Sequence, residues 1–545
     1  MNRKLLPLAA AALLSLPAAL FSSSAWAARD FTPQSGTWVV SSEVDGQPGR
    51  GLAIDVQGNT FYMQVFDYRP DGSATFHAAM GAMQGNTVTA PLHSYRGGRY
   101  FGGPAQYGEV DSSPGNVTLN FSDGLHGTIE LPGEAPVAIR RFLVRDPAEK
   151  YPTAFDREFM TRALLLVGLD GQGQPQLAFS GEARTDNESV VYLNLQQNIS
   201  PYSSAQQRLR CLASPQNSDV LDCVPFSVFP EGTDKDSIHY VQAAQLRRAA
   251  NGIQGSLRVQ LPRSAGAAVR EYQLMGSSAY GAQGARFFEN KFYRAGPYFI
   301  DRNTCSDACV DADSRQESLY LPPASTWIVA DELTGKPGRG IALDMQDTMA
   351  VVQVFNYTAD GKASFHMASG PYREPTITMA LNRYQGGRYL GGPARSGSWL
   401  ESAGPLSIDM SPLAQQDLYL SGMLRLPGEP ARLMRKLVVD YTPSLQEQLY
   451  GQWYLQFSPH NGAGRFVTFD RTIDGRVSNA DASVGCGVEP DSPQLITCTW
   501  HRDTAQGGPL KIGLPPSVLV GNVAAYAMRI RDRFGNLMGL GPLPQ

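Results

Sequence analysis

The stretch Pro48-Gly-Arg-Gly-Leu-Ala-Ile-Asp55 returns as Pro337-Gly-Arg-Gly-Ile-Ala-Leu-Asp344, an offset of 289 residues that holds without a gap from Trp38/Trp327 to Pro104/Pro393. One hydrophobic pattern written twice buries the same faces twice, so the chain contains two copies of one domain. After an insertion of six residues, Leu131-Pro-Gly-Glu134 meets Leu426-Pro-Gly-Glu429. A fainter match follows, in which Tyr151, Phe155, Leu165, Val167 and Phe179 align with Tyr441, Leu445, Leu455, Phe457 and Phe469. The twelve-residue separation of Cys211 and Cys223 is repeated by Cys486 and Cys498. The organisation is therefore A-B-A′-B′: domain A at 28–147, B at 148–300, a linker at 301–323, A′ at 324–440 and B′ at 441–545.

Within A, strand signals recur at short spacing. Leu52, Ile54 and Val56 alternate with Ala53 and Asp55, the period of a half-buried strand. Tyr68-Arg-Pro-Asp-Gly72 reads as a hairpin, because Pro presets φ and Gly accepts φ > 0. The spacing predicts strands near 36–42, 51–57, 60–68, 73–81, 86–91, 116–121, 125–131 and 137–144. Eight hairpin-linked strands leave two all-β solutions, tandem small antiparallel barrels or two-sheet sandwiches. B and B′ read as β-rich, each opening on a short amphipathic stretch such as Ser444–Tyr450 of one or two helical turns.

Residues 1–27 have the form of a signal peptide: Arg3 and Lys4, an apolar run from Leu5 to Phe21, then Ala25-Trp26-Ala27. Removing Arg3 and Lys4 takes the net charge from −4 to −6, and no basic run remains, so nucleic acid is an unsuitable partner. No later segment reaches the length of a spanning helix. The six cysteines form three local pairs, Cys211 with Cys223, Cys305 with Cys309 and Cys486 with Cys498, which in an exported chain read as disulfides. Zinc spacing is absent. The linker acids 301–313 lack the twelve-residue calcium pattern. No metal and no cofactor is expected.

Two resemblances follow. Gly36-Thr-Trp38 with Arg140-Arg141, and Gly451-Gln-Trp453 with Arg529 and Arg531, are similar to the lipocalin-like (calycin) barrels, which implies that Trp and a late Arg pack at one barrel end; A′ has Ser325 in place of Gly. The run from Gly-Arg-Gly to Asp-Gly-x-x-x-Phe-His resembles an uncharacterised exported β-repeat domain of Gram-negative bacteria, a family without an assigned activity. It implies a β fold and a periplasmic or extracellular location, and it supplies no catalytic residues.

Candidate contact residues come from the repeated positions. Gln64 and Gln353 share a strand face with aromatic residues and would suit a small amphipathic ligand in a barrel lumen, or else bond to backbone within a packed core. His77 and His366 fall opposite Phe76 and Phe365, as solvent-facing or hydrogen-bonded histidines. Arg50, Arg339, Arg99 and Arg388 lie in glycine-rich turns beside Tyr95, Tyr100, Tyr384 and Tyr389, chemistry suited to a carboxylate, a glycan or an envelope-protein surface. The alternative is that they brace the turns internally. No nucleophile elbow, zinc-protease or penicillin-binding motif is present. The expectation is an exported non-enzymatic binding protein, with a polymer-cleaving hydrolase and a structural envelope protein as alternatives.

Overall fold

A computed structural model describes residues 28–144, 163–278, 285–294, 322–440 and 447–543, with short interruptions. The expected signal peptide lies outside the described residues.

A is a closed up-and-down barrel of eight antiparallel strands, not a sandwich. Its strands are β1 (Gly36–Val40), β2 (Gly51–Gln57), β3 (Thr60–Tyr68), β4 (Ala74–Ala82), β5 (Thr87–Arg96), β6 (Glu109–Phe121), β7 (His126–Glu130) and β8 (Val137–Arg141). Closure removes every free edge along the barrel wall. It is made by β1 pairing with β8, which sets Trp38 opposite Arg141. The interior is filled by Trp38, Leu52, Ile54, Phe61, Met63, Val65, Leu92, Leu119 and Ile129, among others. β5 and β6 run longer than the periodicity predicts. Their outer halves form an exposed two-stranded ribbon, and the polar run 109–116 carries no alternation by which to recognise it.

B closes in the same way, from β9 (Ala163–Leu169) to β16 (Val269–Ser278). A short hairpin, β17 (Ala285–Phe288) and β18 (Lys291–Arg294), follows. A′ is the third closed barrel, from β19 (Ser325–Val329) to β26 (Arg432–Lys436), and is filled like A. In B′ the described strands form a three-stranded and a six-stranded sheet. The amphipathic opening of B′ contributes one 3₁₀ turn, Glu447–Leu449.

Two of the three expected cysteine pairs are present as disulfides. Cys211–Cys223 and Cys486–Cys498 join directly opposed residues of neighbouring strands and are buried inside B and B′. The third expected pair, Cys305 with Cys309, lies outside the described residues. No helix among the described residues is long and apolar enough to cross a membrane.

The sheets of A and A′ that contain β2–β4 and their copies pack outer face to outer face. Phe66, Tyr68, Phe76, Phe355, Tyr357 and Phe365 form an aromatic core between the barrels. B and B′ meet through a smaller apolar seam of Leu165, Val167, Leu169, Tyr454, Met528 and Ile530.

Candidate functional site

β3 shows why the repeated residues end up where they do. Period two sends Phe61, Met63 and Val65 into the barrel core, while Phe66 and Tyr68 point outward into the aromatic seam. The aromatic-plus-glutamine face therefore does not line a lumen. It meets the sister repeat, which is why the strand is apolar on both sides. Gln64 sits on that outer face with Nε2 3.2 Å from the Tyr62 hydroxyl. Gln353 donates to Thr37 Oγ1 of the other repeat at 2.9 Å.

The seam is built in duplicate. Asp344 accepts from the Thr37 backbone N–H at 2.8 Å and from Arg141 through both guanidinium nitrogens, at 2.8 and 2.6 Å. Its counterpart Asp55 accepts from the Thr326 N–H at 2.8 Å and from Ser325 Oγ at 2.5 Å. Gln57 clamps the Leu437 carbonyl and the Val439 N–H, while Gln346 clamps the Phe142 carbonyl and the Val144 N–H. Each repeat thus presents the same acid and the same glutamine to the other.

The Gly-Gly-Arg-Tyr loops cross between the barrels. Arg99 reaches from A to Glu332 of A′ at 3.0 Å, and Arg388 reaches from A′ to Glu43 of A at 2.7 Å. Arg50 already holds Glu43 and Glu134 through four hydrogen bonds of 2.6–3.0 Å. Arg339 holds Glu332 and Glu429 in the same way, at 2.5–3.0 Å. Each cluster thus alternates guanidinium and carboxylate across the seam, and Arg432 adds a third cation to the second. Burial pushes the Glu134, Glu332 and Glu429 carboxyls up, but the guanidinium bonds outweigh it and hold all three below the usual carboxylate range.

Beyond the arginine, each loop inserts its apolar tip. Phe101 packs on the core of A′, and Leu390 packs on the core of A. The approach needs bare backbone: a Cβ on Gly98 would lie 2.0 Å from the Tyr357 ring, and one on Gly387 2.1 Å from the Tyr68 ring. Tyr95 stacks on Phe76 with centroids 5.8 Å apart, and Tyr384 flanks the same cluster. Tyr100 and Tyr389 lie over Gly103 and Gly392 of their own loops, and Tyr389 bridges to Tyr68 of the other repeat.

The histidines face into the barrels rather than solvent. His77 Nδ1 lies 3.2 Å from Asp67 Oδ1, with Asp67 fully buried. Burial raises the Asp67 carboxyl pKa, and His77 opposes that shift. In A′ the Asp is replaced by Asn356, and His366 is buried with the Phe101 ring 4.8 Å away. Burial, then Arg383, pushes the His366 pKa down to about 3, so this imidazole is neutral.

All twelve predicted contact residues therefore lie in the seam or in the two barrels that it joins. Sequence reasoning missed their partners Glu43, Glu134, Glu332, Glu429, Asp55 and Asp344. The available signal was that each acid, like Arg50 and Arg99, is present in both repeats: Glu43/Glu332, Glu134/Glu429 and Asp55/Asp344. Among the described residues, no group of three or more His, Cys, Asp or Glu side chains is placed to hold a metal ion. A shallow polar cleft of about 200 Å³ lies between B and B′, lined by Gln176, Ser180, Gln197, His239, Tyr454 and Phe466.

No protein-family model matches the chain. No curated protein matches it either. Among solved structures, two of the Helicobacter pylori beta clamp, one in complex with 5-chloroisatin and one with 3,4-difluorobenzamide, align at 8% identity over 73% of this chain and 94% of theirs, with a TM-score of 0.08. A likeness of that size carries no argument about fold or function.

Proposed function

We propose that the protein is an exported, non-enzymatic binding or interaction protein in which the A–A′ pair is a rigid frame and outward faces make the contacts. The observation that carries this reading is the reciprocal packing of Phe101 and Leu390 against barrels whose interiors are already filled. Interiors filled by side chains, with a loop tip of the sister repeat packed on each, favour contacts on outward faces over a ligand in a lumen. The repeated arginines are satisfied by glutamates of the same chain, so they support assembly rather than capture of a partner. The two buried disulfides and the signal-like N-terminus support an oxidising compartment, periplasmic or extracellular.

Two measurements test this. The exported protein is expected to begin at Ala28 by N-terminal mass mapping; a mature chain that retains residues 1–27 would remove the export claim. The folded protein is expected to leave ester, glycan and peptide substrates intact, and turnover of any one of them would move the reading to a hydrolase.

A further inference from the structure

The outer wall of barrel B carries exposed rings and cations that the frame does not use. It is formed by β11 (Val190–Ser200), β12 (Ser203–Ala213) and β13 (Val220–Phe229). Val191, Leu193, Leu209, Cys211, Leu221 and Cys223 fill the interior, so the alternating residues face out. A bulge at Arg208/Leu209 leaves Phe226 between two paired positions and turns its ring to solvent. Phe226 is 56% exposed, Val224 53% and Phe229 45%.

The cation is held in place. The Arg208 guanidinium lies 5.9 Å from the Tyr192 centroid and 5.6 Å from that of Phe229, and its Nε donates to Asn194 Oδ1 at 2.8 Å. Tyr192 in turn meets Phe226 edge-on at 5.3 Å. Arg210, on the neighbouring outward position, is exposed and sits across from Tyr192 and Val224. Among the described residues neither guanidinium has a carboxylate partner. Asp222, on the neighbouring strand β13, accepts a hydrogen bond from Gln245.

A guanidinium fixed by an amide and two rings has lost most of its rotamer freedom before any ligand arrives. An apolar protein or acyl surface laid on this wall would bury two unpaired cations, a cost that its rings alone do not offset. A polymer that alternates apolar ring faces with carboxylates meets both features at once. We infer that the Tyr192/Arg208/Arg210/Phe226/Phe229 face of barrel B binds an acidic polysaccharide, its pyranose faces stacking on the rings and its carboxylates pairing with the arginines. B′ supplies an internal control, because counting from the matched cysteines it has Ser483 and His501 where B has Arg208 and Phe226.

The inference rests on the reading of the chain as a binding protein. The test is native electrophoresis of the full-length protein through gels that contain polygalacturonate or, in parallel, neutral dextran. Polygalacturonate is expected to retard the protein, dextran is not, and the retardation should weaken with added salt. Phe226→Ala, Arg208→Ala and Arg210→Ala should each lower apparent affinity about tenfold with an unchanged melting temperature. Equal retardation by dextran, or transfer of binding to anionic phospholipid vesicles, would overturn the acidic-glycan assignment. Retardation that all three variants retain would overturn the assignment of this face while leaving a binding protein. No binding of the wild type to polysaccharide, vesicle or envelope extract would sink both.

Discussion

Arg141 and Lys436 occupy matched positions in the two repeats, yet they do different things. Arg141 and Asp344 form a two-pronged pair across the seam, each side chain only 1% exposed. Lys436 opposes Asp55, whose carboxylate is already taken by Ser325 and Thr326, and burial lowers the Lys436 ammonium pKa. Truncating one member of a buried pair strands the other charge, so Arg141→Ala is expected to cost about 3–5 kcal/mol in denaturant unfolding. A loss below about 1 kcal/mol would mean that water reaches Asp344. His366 supplies a pH prediction. Its folded pKa is depressed, so the stability it contributes is present above the unfolded value of about 6.5 and is lost as pH falls toward 3. At pH 5 the loss is about 2 kcal/mol. The fall in stability between pH 7 and pH 5 should therefore be smaller in His366→Gln than in the wild type by that amount, and equal slopes would place the imidazole in solvent.

At the scale of elements, the two Gly-Gly loops are the parts that turn barrels into a frame. Gly98→Ala drives a methyl group into the Tyr357 ring, and overpacking of this kind costs about 1–3 kcal/mol. The predicted signature is a coupling: Tyr357→Ala, which removes the obstructing ring, should abolish most of the added cost of Gly98→Ala in a double-mutant cycle. Strictly additive losses would place the loop elsewhere. The loops also explain two misplaced expectations. Arg99 and Arg388 resemble an exposed capture surface when read along the chain, because their glutamate partners lie 233 and 345 residues away. Gln64 resembles a lumen residue because alternation shows that a strand has two faces without saying which one closes the barrel.

For the whole molecule, duplication with reciprocal contacts makes the chain an intramolecular pseudo-dimer. Both described disulfides close within one half, and the A–A′ seam joins the halves without a covalent link other than the linker. A protease site introduced into 301–323 and cleaved should therefore leave the halves co-eluting at the intact mass by size-exclusion chromatography under reducing conditions, which take any bridge between Cys305 and Cys309 out of the comparison. Adding Arg141→Ala with Phe66→Ser should release them. Separation of the nicked protein without those changes would show that the seam is weaker than its burial implies.

Much of this plan was legible before folding. The 289-residue register marked two copies of one all-β domain, the hairpin signals its eight short strands, and the twelve-residue cysteine spacing the two cross-strand disulfides. These are local or periodic properties, and alternation and turn chemistry write them directly into the chain. The linker pair has no such support. Cys305 and Cys309 are not repeated in the second half and lie outside the described strands, so their bridge stays an expectation from spacing. Barrel closure was not local, since it depends on β1 finding β8 about 100 residues later. The pairing of one repeat's arginines with the other's glutamates was not local either. Two copies of one pattern contain the same charges and the same glycines whether they face water or each other. Only packing the two β3-type strands face to face decided that Arg99, Arg388 and the aromatic stripe belong to the inside of the molecule.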